Sequence, residues 1–275
     1  MPEGDTLHRI AAGLRPFLVG RVVTAASARR PGPRAELLVG ARIESVESVG
    51  KHLLIRFDRG LELRTHLGMH GSWHRYSPGE RWLRSPARAR LVIEVPGAIA
   101  VCFDAPTVEL LETRAEAIHP VLAELGPDLL TPGFGEPELA EAVRRLRARH
   151  AAATIAEAIL DQRSLAGIGN VYKSETLFVE RVDPFAAVET LKDADLRRLV
   201  ETARRLLLAN ASGGPRTTTS EHPEEVRRLG RLWVYDRAGR PCRRCGAIVR
   251  SVRHGLNDRR TFWCPACQRV GDGPR

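Results

Sequence analysis

Four cysteines near the C-terminal end of the chain constrain its fold more than any other feature. They form two Cys-x-x-Cys pairs separated by 18 residues, at Cys242, Cys245, Cys264 and Cys267. Each pair predicts a tight turn that presents two thiolates, and two such turns close a tetrahedral site of the zinc-ribbon type. Since four protein ligands leave no open position, we expect one structural zinc ion, held by a small module with a β-hairpin.

The metal interpretation depends on where the protein resides. His8, Arg9 and Arg15 interrupt the N-terminal segment, so it lacks the apolar core of a signal peptide. No apolar run approaches 18 residues, which predicts no membrane span. We therefore expect a cytoplasmic monomer with reduced thiols, in which paired cysteines bind metal. The fifth cysteine, Cys102, lies in an apolar strand and is expected to be a core residue.

The character of the chain changes near residue 115. Residues 5–19 show helical periodicity, whereas the segments after them alternate between apolar and polar residues, as in Leu53, Ile55 and Phe57. Short strands separated by tight turns predict a β-sandwich. The predicted strands are 21–28, 42–49, 52–58, 61–67, 90–95, 99–103 and 108–112.

Helical patterns dominate the second half, which makes the predicted fold class α+β. The predicted helices are 136–149, 152–161, 171–180 and 192–209, followed by a polar loop to about residue 227. The expected domains are an N-terminal helix and β-sandwich at 1–115, a linker at 116–133, a helical domain at 134–227, the four-cysteine module at 228–268 and a tail at 269–275.

The charge balance favours a polyanionic partner. The chain has 43 Lys and Arg against 33 Asp and Glu, with a sequence pI near 10.2. Genome base composition also produces arginine-rich proteins, so this is modest support for nucleic acid. Lysine is scarce, with only Lys51, Lys173 and Lys192. Lys51 follows Gly50 at a strand entrance, a setting shared by surface lysines and by lysines that point into a cleft.

Pro2 and Glu3 are candidates for covalent chemistry. If Met1 is removed, Pro2 carries an N-terminal secondary amine, and an ordinary α-amino pKa of about 7.7–8 leaves part of it unprotonated at neutral pH. Such an amine can attack an aldehyde carbon to form an iminium, and Glu3 can move the protons. The same residues are also typical of an ordinary helix N-terminus.

Two further segments suggest contact with phosphate. Gly167 and Gly169 allow close backbone approach, and Asn170 is expected to cap the helix that follows. A helix N-terminus binds anions, although a simple turn between helices has the same pattern. Arg259 and Arg260 follow Asn257 at an expected hairpin tip in the cysteine module, where a solvated turn is equally compatible.

Together these motifs resemble the bacterial formamidopyrimidine-DNA glycosylase/endonuclease VIII family over about residues 2–268. The residues that carry the resemblance are Pro2-Glu3-Gly4, Gly50-Lys51-His52-Leu53-Leu54, His66-Leu67-Gly68-Met69, Gly167-Ile168-Gly169-Asn170-Val171-Tyr172 and the four-cysteine finger. Five motifs in this order are highly specific. The resemblance implies a bifunctional glycosylase and AP lyase of base excision repair, acting on damaged double-stranded DNA.

The resemblance also implies a role for each matching residue. Pro2 attacks C1′ of the damaged nucleotide and forms a Schiff base, while Glu3 donates and accepts protons at the sugar. Lys51 contacts phosphate and assists β-elimination; Arg259, five residues before the third cysteine, grips phosphate and assists δ-elimination. Asn170 of the helix–two-turn–helix motif binds phosphate, and Met69 fills the space left by the extruded nucleotide.

Departures from the family pattern bear on specificity. The formamidopyrimidine branch carries an Asp-Pro-Arg-Arg-Phe-Gly loop, whereas residues 103–110 read Phe-Asp-Ala-Pro-Thr-Val-Glu-Leu. This resembles the endonuclease VIII branch, and its second paralogue in particular, so we expect oxidised pyrimidines as substrates. Asp5 and Thr6 replace a Pro-Glu pair, so a second carboxylate is missing at residue 6.

Two other interpretations remain open from the sequence. A non-catalytic binder of damaged or branched DNA would use the finger and the helix pair, but would not need Pro2 or Glu3. A zinc-ribbon RNA-binding or transcription factor would leave the N-terminal half unexplained.

Overall fold

The computed structural model describes residues 2–29, 31–220, 222–255 and 258–268. Met1, Asn257 and the predicted tail at 269–275 lie outside the described residues. The chain divides into two compact units, an N-terminal unit at Met1–Glu124 and a C-terminal unit at Leu125–Arg275.

The N-terminal unit is a β-sandwich with one helix packed against it. Helix α1 (Gly4–Leu18) precedes eight strands. The strands are β1 (Ala25–Ala28), β2 (Ile43–Val49), β3 (His52–Phe57), β4 (Leu61–His66), β5 (Ser72–Tyr76), β6 (Ala89–Val95), β7 (Ala98–Phe103) and β8 (Thr107–Glu112). They form two antiparallel sheets with orders β1-β6-β7-β5 and β2-β3-β4-β8. Short 3-10 helices lie at Ala35–Leu38, Pro86–Arg88 and Thr113–Ile118.

Alternation along the strands builds the core of this unit. Leu53, Ile55 and Phe57 of β3 are buried with the apolar face of α1 and with Cys102. This confirms Cys102 as a core residue. Strand β5 was missed in the sequence because its buried residues, Trp73 and Tyr76, lie three residues apart and do not follow the period of two of a strand.

The C-terminal unit begins with helices and ends with a hairpin. The helices are α2 (Glu136–His150), α3 (Ile155–Ala158), α4 (Asn170–Val179), α5 (Asp193–Ala209) and α6 (Pro223–Leu229), with a 3-10 helix at Val188–Thr190. Strands β9 (Arg250–His254) and β10 (Arg259–Trp263) pair antiparallel. The α+β class and its three parts are therefore confirmed.

One helix prediction and one loop prediction in this unit were wrong. The helix expected at 152–161 covers only Ile155–Ala158, because the N–H groups of Leu160 and Asp161 bond to carbonyls three residues back and not four. The loop expected up to residue 227 contains α6, whose start at Pro223 has a fixed φ suited to a first helical turn.

None of the helices in the described part of the chain has the length and apolarity that crossing a bilayer requires.

Candidate active site

The N-terminal residues singled out in the sequence lie at the start of α1. Glu3 is the N-cap; its side chain is buried and its carbonyl oxygen accepts the N–H groups of Thr6 and Leu7 at 2.9 and 3.2 Å. The N–H of Glu3 donates to the Thr6 hydroxyl at 3.4 Å. Pro2 is half-buried directly before it. The first helical turn therefore fixes the backbone on which the Pro2 nitrogen and the Glu3 carboxylate are carried.

A second carboxylate is present one residue earlier than the family pattern places it. Asp5 is fully buried and pairs with Arg9 at 3.4 Å. The Thr6 hydroxyl donates to Asp5 Oδ1 at 3.2 Å while it accepts the N–H of Glu3. Thr6 thus connects the Glu3 backbone to a buried carboxylate. We call Pro2, Glu3, Asp5 and Thr6 the amine cluster.

Lys51 occupies the two-residue turn between β2 and β3. The turn closes on the pair Val49 and His52, and Gly50 has a φ of 57°, which a residue without a Cβ adopts most easily. Lys51 is half-buried. The hairpin therefore holds this lysine at the edge of a fully packed sheet.

His52, next to Lys51, is a buried histidine in a cationic setting. Its ring centroid lies 5.1 Å from that of His66. Burial, followed by the nearby charges of Arg64, His66, His119 and Lys51, lowers the pKa of His52 to about 2. His52 is consequently neutral at physiological pH and adds no charge beside Lys51.

Met69 lies in the loop between β4 and β5 and is 56% exposed. Two glycines shape this loop. Gly68 has a φ of 57°, and a Cβ at Gly71 would lie 2.4 Å from the Leu67 carbonyl oxygen, so only glycine fits there. The N–H of Gly71 donates to the same oxygen at 2.8 Å. The loop is tight, and it presents Met69 outward.

In the C-terminal unit, Asn170 is the first residue of α4 and not its cap. Gly169 is the N-cap, because a Gly adopts the extended backbone before the helix without steric cost. Asn170 is 8% exposed, and its Nδ2 donates to the Arg260 carbonyl at 2.8 Å. Among the described residues its buried Oδ1 has no hydrogen-bond partner.

Lys173, one turn further along α4, is fully buried. Its Nζ donates to the Arg260 carbonyl at 3.1 Å and to Thr261 Oγ1 at 2.8 Å. Helix α4 is thereby fastened to β10 through one shared carbonyl and one hydroxyl. Arg259, the residue before Arg260, is exposed at the start of β10.

A cavity of about 410 Å³ opens at this junction. Both acidic and basic side chains line it. His254 borders it, with Nε2 3.1 Å from the Thr154 hydroxyl and Nδ1 3.2 Å from the Thr261 hydroxyl. Burial and then Lys173 lower the pKa of His254. The ionisable lining residues are His150, Glu157, Asp161, Arg163, Lys173, His254 and Arg259. We call Asn170, Lys173, His254 and Arg259 the helix–hairpin cluster.

Two residues that organise this region were not singled out in the sequence. Gln162 donates to the carbonyls of Leu160 and Ile168 at 2.8 and 3.0 Å and accepts the N–H of Gly167 at 3.1 Å. Glu175 is fully buried and accepts hydrogen bonds from four donors. The donors are the N–H groups of Trp233 at 2.7 Å, Val234 at 2.9 Å and Tyr235 at 2.7 Å, and the Thr218 hydroxyl. Lys173 and Glu175 are the only charged residues of α4, which was a usable signal.

The four cysteines come together as predicted. Their sulfur atoms all lie within 4.8 Å of one another, with 3.9 Å between Cys242 and Cys267 and 3.5 Å between Cys245 and Cys264. Four sulfurs at 2.3 Å around one tetrahedral ion are about 3.8 Å apart. The cluster therefore fits a single metal ion, and α4 packs against β10 of the same module.

Comparison with known proteins identifies the family of the chain. The model of the formamidopyrimidine-DNA glycosylase N-terminal domain matches residues 1–106, and that of its H2TH domain matches residues 125–221. The chain belongs to the formamidopyrimidine-DNA glycosylase family.

Within that family the chain is similar to second endonuclease 8 proteins. A probable endonuclease 8 2 of Streptomyces coelicolor is 41% identical, with 100% of this chain and 96% of the relative covered. The DNA-(apurinic or apyrimidinic site) lyase Nei2 of Mycolicibacterium smegmatis is 41% identical, with 98% and 99% covered. The expected resemblance to the second paralogue is confirmed.

A solved structure supports the same assignment. The MutM (Fpg) protein of Thermus thermophilus has a TM-score of 0.79 and 29% identity to this chain, covering 98% of this chain and 100% of that one.

Proposed function

We propose that this protein is a bifunctional DNA glycosylase and AP lyase of base excision repair, with Pro2 as its nucleophile. The observation that carries the proposal is the amine cluster, in which a proline and a buried glutamate precede the first turn of a helix. The N-terminal end of a helix dipole favours an uncharged amine. Both 41%-identical relatives cover the chain almost completely, and their names are those of endonucleases or lyases of this kind.

The reaction begins with attack of the Pro2 amine on a sugar carbon of the damaged nucleotide. The Pro2 nitrogen bonds to C1′ while the glycosidic bond breaks, and the base leaves as Glu3 supplies a proton to the opening sugar. The resulting iminium acidifies C2′. Loss of that proton expels the 3′ phosphate, and a second elimination expels the 5′ phosphate. No oxidant or metal takes part in these steps.

The remaining residues act on the DNA backbone. Lys51 in its turn and Arg259 at the start of β10 carry cationic groups that suit phosphate contact during β- and δ-elimination. Asn170 is the first residue of α4, and the N–H groups at that helix N-terminus suit contact with a phosphate. Met69 enters the space left by the extruded nucleotide. The four cysteines hold one zinc ion that braces the hairpin carrying Arg259.

The lesion class follows from the turn between β7 and β8. Only residues 104–106 separate these strands, and they contain neither the Arg nor the Phe of the loop in the formamidopyrimidine branch. We therefore propose oxidised pyrimidines as the preferred substrates.

A duplex containing thymine glycol tests the function. Wild-type protein should release the base and nick the strand, whereas Glu3→Gln should lose base release by about a hundredfold or more, the size expected for removing a general acid. Glu36→Gln is the matched control, since Glu36 is an exposed carboxylate of the same unit. A protein that binds this duplex tightly without cutting it would identify a non-catalytic binder instead. A Glu3→Gln variant as active as wild type would contradict the role of Glu3 as the proton donor.

A further inference from the structure

Leu83 is an exposed apolar side chain on a segment that is otherwise held in place. It is 82% exposed, the highest value among the exposed large apolar residues of the described chain. Its own N–H donates to the Tyr76 hydroxyl at 3.1 Å. Its neighbour Trp82 stacks on Tyr76 with centroids 5.8 Å apart and meets Phe103 edge-on at 5.7 Å. The backbone that carries Leu83 is therefore anchored although the side chain points into solvent.

Arg84, on the other side of Leu83, joins this segment to two other loops. Its Nη1 donates to Asp104 Oδ2 at 2.7 Å and to the His70 carbonyl at 3.2 Å. Asp104 belongs to the turn between β7 and β8, and His70 belongs to the loop that carries Met69. That turn and that loop also touch each other, since a Cβ at Gly68 would lie 2.9 Å from the Pro106 ring.

These contacts join the two loops that carry the exposed apolar side chains of Leu83 and Met69. Leu83 is one residue from Arg84 and Met69 is one residue from His70, and neighbouring Cα atoms are about 3.8 Å apart. The Arg84–His70 contact is thus flanked by Leu83 on one loop and Met69 on the other. Holding an apolar group rigidly in water has no benefit in the free protein, but it lowers the entropy cost of inserting that group into a partner.

The charge of the segment selects DNA as the partner. Residues 77–88 contain Arg81, Arg84 and Arg88 against Glu80, and Asp104 of the neighbouring turn pairs with Arg84 and Arg88. Three arginines against these two carboxylates leave the segment positive. Apolar wedges flanked by arginine are the means by which proteins unstack a base step. We propose that Leu83 is a second wedge, which enters the base stack beside Met69 when the lesion is extruded. This inference rests on the proposed lesion-flipping function.

Fluorescence of a reporter base tests the wedge without any chemistry. The probe is a duplex with 2-aminopurine next to a tetrahydrofuran abasic analogue, bound at saturating protein. Wild type and Ile118→Ala should raise the fluorescence, since Ile118 is 81% exposed in the same unit and serves as the matched control. Leu83→Ala should give less than half of that rise, and Leu83→Met should restore it. An undiminished rise in fluorescence with Leu83→Ala, or no rise with bound wild type, would overturn the proposal that Leu83 is a wedge.

Single-turnover cleavage separates a wedge from a general loss of activity. Leu83→Ala should slow base release from a thymine-glycol duplex about tenfold, the effect of losing one buried leucine contact. It should leave cleavage of an abasic site in single-stranded DNA unchanged, because that strand has no stack to open. Equal losses on both substrates, or none on the duplex, would contradict the proposal.

The two failures are distinguishable. If wild type cuts both substrates and Leu83→Ala matches it, the wedge is wrong and the enzymatic function stands. If wild type cuts neither substrate, the proposed function is wrong, and the fluorescence rise alone decides whether Leu83 enters DNA.

Discussion

The two units each place a lysine near a histidine, buried in the case of His52 and half-buried in the case of His254, but the two lysines differ in their surroundings. In the N-terminal unit Lys51 is half-buried in a turn beside His52, whereas in the C-terminal unit Lys173 is fully buried near His254. Burial lowers the pKa of both histidines, so neither adds charge at neutral pH. Lys51 is proposed to act on a substrate, whereas Lys173 donates to the backbone and a hydroxyl of β10.

The difference reflects how much apolar core each region has. The β-sandwich buries a large apolar cluster, and polar contacts such as those of Arg84 with Asp104 and the His70 carbonyl add to it. The hairpin of β9 and β10 shares a small cluster of mainly aromatic and cysteine side chains. Small modules of this size need additional links, here the four cysteines, Lys173 and Glu175. Substitutions in the two units distinguish support by an apolar core from support by polar contacts and a metal site.

Loss of one cysteine should have the largest effect. Cys264→Ser should lose the zinc ion and weaken DNA binding more than about a hundredfold, because structural zinc supplies folding energy to the module that holds it. Elemental analysis and a binding titration measure both. Cys102→Ala is the control, since Cys102 lies in the sandwich core and should keep the metal. A Cys264→Ser protein with full metal content would contradict the metal assignment.

Glu175→Gln should come next, with a local loss of about 3 kcal/mol. In wild type, buried backbone N–H groups donate to the Glu175 carboxylate. In the variant an NH2 group faces some of these donors, which then lose their acceptor. Hydrogen exchange of the peptide that contains Trp233, Val234 and Tyr235 measures the loss directly. Exposed Glu189→Gln should leave this exchange unchanged. Unchanged protection in Glu175→Gln would show that the hairpin side of this unit does not depend on polar ties.

Acid should destabilise the N-terminal unit through His52. The folded pKa of about 2 lies below the ordinary value of 6.5, so the stability His52 contributes is complete above pH 6.5 and is lost as the pH falls below it. Between pH 7.5 and pH 5 the wild type should lose about 2 kcal/mol relative to His52→Gln. Exchange protection of β3 and β4 peptides measures this difference.

Glu62 makes that comparison between variants necessary. Burial and the neighbouring Glu116 raise its pKa to about 7, so its contribution to stability falls as the pH rises from 4.5 through 7, opposite to that of His52. Glu62 is present in both proteins and cancels in the difference. A difference between wild type and His52→Gln that does not change with pH would show that His52 is not held neutral.

Exchanging each lysine for methionine should give the smallest but most specific contrast. Lys51→Met should slow strand cleavage about tenfold and change stability by less than about 0.5 kcal/mol, as at a surface turn. Lys173→Met should cost about 1 kcal/mol of local stability, limited because the Arg260 carbonyl keeps its bond from Asn170. Strand cleavage assays and exchange of β10 separate the two effects. If both variants lost cleavage and stability in the same ratio, the lysines would have one role.

The sequence predicted those parts of the molecule that are set by local spacing. The two cysteine pairs, the alternation of β3 and the Gly50-Lys51 turn each depend on residues close together in the chain, and each was predicted correctly. What it did not predict depends on contacts across the fold. The four donors to Glu175 come from segments some 40 to 60 residues away, and Arg84 reaches Asp104 across 20 residues. The cap of α4 was misplaced by one residue because Asn170 bonds to distant Arg260 and not to its own helix.

The central claim is that the Pro2 amine, and not a lysine, forms the bond to DNA. Borohydride reduction of the protein on an abasic duplex, followed by proteolysis and mass spectrometry, locates the attached sugar. We predict a protein that lacks Met1 and an adduct on the peptide that begins at Pro2. An adduct on the Lys51 peptide, or equal trapping by a protein that retains Met1 and so has an amide at Pro2, would contradict the account.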